Sequence, residues 1–186
     1  MSDTRATRKI IFAAAGNNRG GNSSQCWPAS RNGIIAVYAT DGLGMPVNIN
    51  PSSTDDDRFA TLGSGIPYTS YEDDKSFGIE EYISGTSFAT PIAAGIAANV
   101  LEYARNHIRD LNEDRKKRLY SANCTRAIFK AMSQDIQNFD YVQPWTFWKD
   151  RIQGRVWDYR GSEGVDCPPR DPENISRALE HIISGS

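Results

Sequence analysis

The chain has 186 residues, 39% of them hydrophobic, and its 21 basic and 23 acidic side chains leave a net charge of −2. That length suits one domain, which folded alone would bury roughly 70% of its unfolded surface. So balanced a charge offers no basic field to a nucleic acid, and the longest small-apolar run, residues 92–101, contains Asn99 and is too short to span a bilayer.

The N-terminal MSDTRATRK is polar and basic. No apolar segment with a cleavage site follows it, so a secretory signal is not expected in this chain. Residues 10–15, IIFAAA, form an apolar run that ends in GNNRGG, which predicts a buried strand entering a glycine-rich loop. Residues 33–39, GIIAVYA, predict a second strand ending at the turn TDG. Continuous apolar character implies burial on both faces, hence a parallel sheet covered by helices. The loop between the two strands is long enough to be functional or disordered. Residues 46–78 are mixed, with a weak strand near Phe59 to Leu62. The acidic clusters Asp55, Asp56, Asp57 and Glu72, Asp73, Asp74 read as solvated loop. Calcium stays open as a ligand, but no spacing of the EF-hand kind is visible and no cofactor is expected.

A helix is expected from residue 86 to about 106, capped by Thr86 or Ser87, with Pro91 in or near its first turn. Residues 109–119 are strongly charged. Residues 122–132 predict a helix with Ala127, Ile128 and Met132 on one side. FDYVQPWTFW reads as an irregular aromatic cover, and Asp171-Pro172-Glu173 opens a last short helix that ends before Gly185. The three cysteines, Cys26, Cys124 and Cys167, are odd in number and widely spaced. They suggest neither a disulfide framework nor a zinc site, and a reduced, intracellular setting is the expectation.

The chemistry concentrates in EYISGTSFATPIAAGIAANVLEYAR, residues 81–105. A serine hydroxyl is a poor nucleophile until a base takes its proton, and its reaction needs donors where negative charge forms on oxygen. A helix N-terminus supplies free N–H groups and the positive end of a dipole. Ser87 stands at such an end, and Ala89, Ala93, Ala94, Gly95, Ala97 and Ala98 would let the helix run close against a sheet. Spacing alone is equally satisfied by an ordinary N-cap.

GTSFATPIAAG resembles the nucleophile segment of the subtilisin-like serine proteases, with Gly85, Thr86, Ser87, Ala89, Thr90, Pro91, Ala94 and Gly95 all matching. Ile92 departs from it, where many members have a histidine that is not the catalytic one. Upstream, IIFAAAGNNRG resembles the family strand that ends in Ala-Gly-Asn, and WPASRNGIIAVYATD is similar to the Tyr-Pro-Ala segment and its following strand. The resemblance covers residues 10–105. It implies an α/β, three-layer subtilisin-like fold with a mainly parallel sheet, truncated at the N-terminus. Residues 1–135 would be the C-terminal half of the catalytic domain and 136–186 an extension. It implies Ser87 as nucleophile and Asn17 as side-chain donor to the oxyanion. Ala14, Ala15, Gly16 and Cys26 would line the pocket for the residue before the cut bond. Cys26 is bulkier than glycine, so small or medium apolar side chains would be preferred there, unless Cys26 is simply buried packing. A phosphate loop is a poor alternative, because AAAGNNRGG lacks both Gly-Lys-Ser/Thr and Gly-x-Gly-x-x-Gly. The Gly-x-Ser-x-Gly elbow is equally poor, because position 89 is alanine.

In the family the aspartate and histidine precede the serine, in Asp-Ser/Thr-Gly and His-Gly-Ser/Thr-His segments. Neither is present, and Asp41-Gly42 follows the second strand, in the wrong place. The only histidines are His107 and His181. A continuous helix would carry His107 roughly 30 Å from Ser87, and His181 is expected at the surface. The implied function is serine endopeptidase activity on protein or peptide substrates, from a chain holding the nucleophile and oxyanion half of the site. The remainder of a longer polypeptide is then a candidate partner. The alternative is an inactive binding or regulatory module. An uncovered edge on the first strand would favour aggregation of the isolated chain.

Overall fold

The computed structural model describes residues 9–17, 24–52, 56–68, 81–108, 111–148 and 172–184. Its centre is a five-stranded sheet of order β1-β2-β3-β7-β6, formed by β1 (Ile11–Ala14), β2 (Ile34–Thr40), β3 (Phe59–Leu62), β7 (Phe139–Val142) and β6 (Ser133–Ile136). The first four run parallel and β6 returns antiparallel to β7. β2 is buried over almost its whole length, as its unbroken apolar run requires. Among the described residues β1 is an edge, paired only to β2, with Ile11 opposite Ile34 and Ala14 opposite Val37. A second sheet pairs β4 (Ile66–Tyr68) antiparallel to β5 (Glu81–Ile83) just before the serine segment.

The helices are α1 (Thr86–His107), α2 (Glu113–Leu119), α3 (Ala122–Ala131) and α4 (Pro172–Ser184). They pack on one face of the sheet. There Ile35, Val37, Ala39 and Phe59 meet Ala89, Ala93, Ala97 and Val100 of α1, Ile128 and Phe129 of α3, and the Ile175, Leu179, Ile183 stripe of α4. The opposite face carries a smaller cluster, in which Ala13, Ala15, Ala36, Tyr38 and Ala60 meet Ala29 of the loop. Small residues on α1 bring its backbone close enough to the sheet for Thr61 Oγ1 to donate to Ala89 O at 2.8 Å.

Several expectations need correction. The cap of α1 is Gly85, with no side-chain cap bond, and neither Thr86 nor Ser87 fills that role. Pro91 is the sixth helical residue, beyond the first turn. In α3 the buried side is Cys124, Thr125, Ile128 and Phe129, whereas Ala127 is exposed. The large side chains set the rotation of the helix, and a single methyl has little say. FDYVQPWTFW is regular: it supplies β7 and a 3₁₀ helix, Pro144–Trp148. The sheet thus draws strands from both sides of residue 135. Asp140 can lie buried in β7 because Lys130 Nζ reaches both its carboxylate oxygens, at 2.8 and 2.9 Å, and the Arg58 N–H donates to it at 3.2 Å. The β6–β7 turn uses Gln137 and Asn138, both at positive φ, as a two-residue hairpin loop requires.

Candidate functional site

Two residues beyond the end of β1 stands Gly16, whose φ of 120° is readily open only to glycine. The turn there brings Asn17 over the N-terminus of α1. Asn17 Oδ1 accepts the Thr86 N–H at 2.8 Å and the Thr86 hydroxyl at 3.1 Å. The Gly16 N–H donates to Thr86 Oγ1 at 3.1 Å. An edge strand and a helix start, far apart in sequence, are therefore joined by three hydrogen bonds.

Ser87 is the second residue of α1 and is exposed. Its N–H is one of the first-turn donors that have no acceptor within the helix. No acidic side chain stands in that turn, so the positive end of the helix macrodipole is not neutralised there. Pro91 has no N–H, so it cannot close the usual helical bond onto the Ser87 carbonyl. Gly85 reveals how close the two candidate residues come. A methyl built on it would stand 3.0 Å from Ser87 Oγ and 3.1 Å from Asn17 Nδ2. Hydroxyl and carboxamide therefore lie against the same side of Gly85.

The segment is held from below. The Gly85 N–H donates to Gly63 O at 2.8 Å. A methyl on Gly63 would meet Ala39 Cβ at 2.7 Å and Gly85 O at 2.9 Å. Only glycine at 63 lets β2, the end of β3 and the start of α1 touch. From sequence, Gly63 and Gly85 have no assigned role and Thr86 is expected only as a cap. The Gly-Thr-Ser spelling is the available signal for Gly85 and Thr86, and nothing local marks Gly63.

The residues expected to line a pocket are also brought together, beside Asn17. The Cys26 N–H donates to Ala15 O at 2.8 Å, and a methyl on Gly16 would lie 2.7 Å from Cys26 Sγ. Cys26 is exposed, so it is not buried packing. Ala14 and Gly16 are half-buried, but Ala15 is 0% exposed and offers backbone spacing in place of a side-chain wall. The Trp27–Pro28 peptide bond that follows is cis.

The structure does not bring a histidine of the described residues to Ser87 along α1. His107 lies at the far end of that helix and stacks on Tyr103, ring centroids 4.1 Å apart. His181 is exposed on α4. Among the described residues no three His, Cys, Asp or Glu side chains group as metal ligands. Asp57 faces Arg126 at 3.7 Å, while Asp55, Glu72, Asp73 and Asp74 lie outside the described residues. A cavity of about 490 Å³ opens at the opposite end of β2, between Arg31, Asp57, Asn123 and Arg126, and holds none of the site residues. No helix among the described residues is long and apolar enough to cross a membrane.

Comparison with known proteins places the chain in a family. A model of the subtilase family, peptidase S8, matches residues 2–138. A thermophilic serine proteinase of Bacillus sp. (strain AK1) is 34% identical over 99 residues, which are 53% of this chain and 23% of that protein. The self-cleaved protease domain of PatA superposes with a TM-score of 0.50 at 24% identity, covering 70% of this chain and 44% of that one. The PatG macrocyclase, solved in complex with a peptide, superposes with a TM-score of 0.51 at 20% identity, covering 74% and 42%. These two structures speak for the fold. The chain spans less than half the length of each of these three proteins.

Proposed function

The chain belongs to the subtilase family, and from that premise we propose that it carries the nucleophile and oxyanion half of a serine endopeptidase site. Ser87 Oγ attacks the scissile carbonyl carbon of a peptide. The carbonyl oxygen gains negative charge and enters the volume bordered by Asn17 Nδ2 and the Ser87 N–H. The dipole of α1 favours the same charge. The proton leaves Ser87 to a histidine oriented by an aspartate, both contributed by polypeptide beyond the residues of this chain. The length of the relatives supports that division. Cys26, against Gly16, narrows the pocket beside Asn17 and favours small or medium apolar side chains.

The observation that supports this reading is the convergence of Ser87 Oγ and Asn17 Nδ2 on one point, at 3.0 and 3.1 Å. The second reading, an inactive binding or regulatory module, is motivated by a sequence that holds neither an Asp-Ser/Thr-Gly nor a His-Gly-Ser/Thr-His segment. A serine-reactive fluorophosphonate probe separates the two. Labelling of Ser87, lost in Ser87→Ala, is expected where the acid–base half is present. Protein that carries an Asp-Ser/Thr-Gly and a His-Gly-Ser/Thr-His segment yet leaves Ser87 unlabelled would establish the inactive module.

A further inference from the structure

The ladder between β1 and β2 stops short of where its register would carry it. Ile11 to Ala14 lie opposite Ile34 to Val37, and the Ala15 N–H still donates to Val37 O at 2.9 Å. Bonds in a parallel ladder pass evenly from one strand to the other. The next two would run from the Ala39 N–H to Ala15 O, and from the Asn17 N–H to Ala39 O. Both are replaced. The Ala39 N–H donates to Asn50 Oδ1 at 2.9 Å, and Ala39 O accepts from Asn50 Nδ2 at 2.8 Å and from the Val47 N–H at 3.2 Å. Ala15 O accepts the Cys26 N–H at 2.8 Å. A carboxamide offers the same donor and acceptor as a peptide unit, and that of Asn50 stands in for the one that β1 withdraws. Ala15 and Ala39 are both 0% exposed, so their backbone groups must find partners within the protein.

We infer that Asn50 is a positioning residue, which ends the pairing of β1 with β2 at Ala15 and so releases Asn17 to cross to the start of α1. The same release leaves Ala15 O open to hold Cys26 beside Gly16. Without the Asn50 carboxamide, the buried Ala39 N–H and the acceptor beside it call for other partners, and those in register are Ala15 O and the Asn17 N–H. β1 would then lengthen along β2. Cys26 would lose its acceptor, and Asn17 would be drawn away from the Thr86 N–H that it now meets at 2.8 Å. Asn50 acts on the reaction only through Asn17 and Cys26. That consequence rests on the reading of Asn17 and Ser87 as an oxyanion site, but the release of the strand can be tested without it.

Scalar couplings across hydrogen bonds, measured by nuclear magnetic resonance, identify donor and acceptor directly. In the wild type the Cys26 nitrogen should couple to the Ala15 carbonyl carbon, and the Ala39 nitrogen should not. In folded Asn50→Ala the Ala39–Ala15 coupling should appear and the Cys26–Ala15 coupling should vanish. Mere loosening of the loop at 41–52 would create no new coupling. Where the acid–base half is present, affinity for a peptide boronic acid that bonds Ser87 should fall about tenfold in the variant, the worth of one hydrogen bond. A wild-type coupling from Ala39 to Ala15 overturns the inference, and that observation needs no variant to fold. So does a folded variant in which Ala39 gains no bond to Ala15, an outcome that leaves the oxyanion reading intact. A variant that exchanges the two couplings yet keeps its boronate affinity upholds the release of the strand and refutes Asn17 as the oxyanion donor.

Discussion

Gly85→Ala is the sharpest probe of the site, because backbone and contacts pull in opposite directions there. Gly85 has φ 175° and ψ 149°, an extended conformation that any residue adopts. Its backbone therefore tolerates a side chain, and the lost freedom of the unfolded chain favours alanine by about 0.4–1 kcal/mol. The added methyl, however, would lie 3.0 Å from Ser87 Oγ, 3.1 Å from Asn17 Nδ2 and 3.4 Å from Phe88 Cδ2. Ordinary non-bonded contacts are about 3.5–4.0 Å, so each polar atom must retreat by roughly 0.5 Å. A bound oxyanion needs its donors at about 2.7–3.1 Å, and a retreat of that size takes Asn17 Nδ2 out of this range. Loss of the side-chain donor in another subtilase lowers the rate by roughly 10²–10³. A fall of that order is expected in the rate of fluorophosphonate labelling of Ser87, measured in protein whose wild type labels. The thermal midpoint, followed in parallel, should stay within a few degrees. A variant that folds normally and labels at the wild-type rate would refute the idea that charge develops beside the Asn17 carboxamide.

Two further outcomes follow from the packing. Phe129 is 0% exposed, with ring centroids 5.7 Å from Phe12 and 5.4 Å from Phe59, so it ties α3 to β1 and β3. Phe129→Ala should cost about 3–5 kcal/mol in urea unfolding, and a loss under about 1 kcal/mol would contradict the assigned core. Among the described thiols, Cys26 should react with a disulfide reagent in the folded protein and Cys124 only on unfolding, as peptide mass spectrometry can read. Burial pushes the Cys124 thiol from 9.0 up to about 11. The unfolded chain thus releases that proton first, so the thiol's contribution to stability is intact below pH 9.0 and lost as pH rises toward 11. Cys124→Ala should flatten that alkaline decline, and an unchanged slope would count against the burial.

β1, β2 and α1 were legible because their sequences repeat one message, unbroken apolar runs for strands and alanines for a helix lying close to them, although only β2 is buried as such a run implies and Ile11 of β1 is 47% exposed. β7 was not legible. Its FDYV mixes a carboxylate with aromatics, and the Lys130 that makes Asp140 tolerable inside belongs to α3. The charged run EDRKKRL gave little helical signal, since α2 buries only Leu119 and relies on the Asn112 cap and exposed i,i+3 ion pairs. At the site, Ser87 and Asn17 could be named from motif spelling alone. The work of Thr86 could not, because its partner Asn17 is 69 positions away and the bond exists only once β1 and α1 have met.

The two sides of the site are unequally anchored. Ser87 opens a helix whose inner face lies against β2 and β3, in the largest apolar cluster. Asn17 follows β1, which among the described residues has a neighbouring strand on one side only. Regions with fewer stabilising contacts open at lower free energy than the core. On warming, the carboxamide would swing away while the helix and its hydroxyl remained in place. Reactivity would then fade at a temperature where most of the molecule is still native.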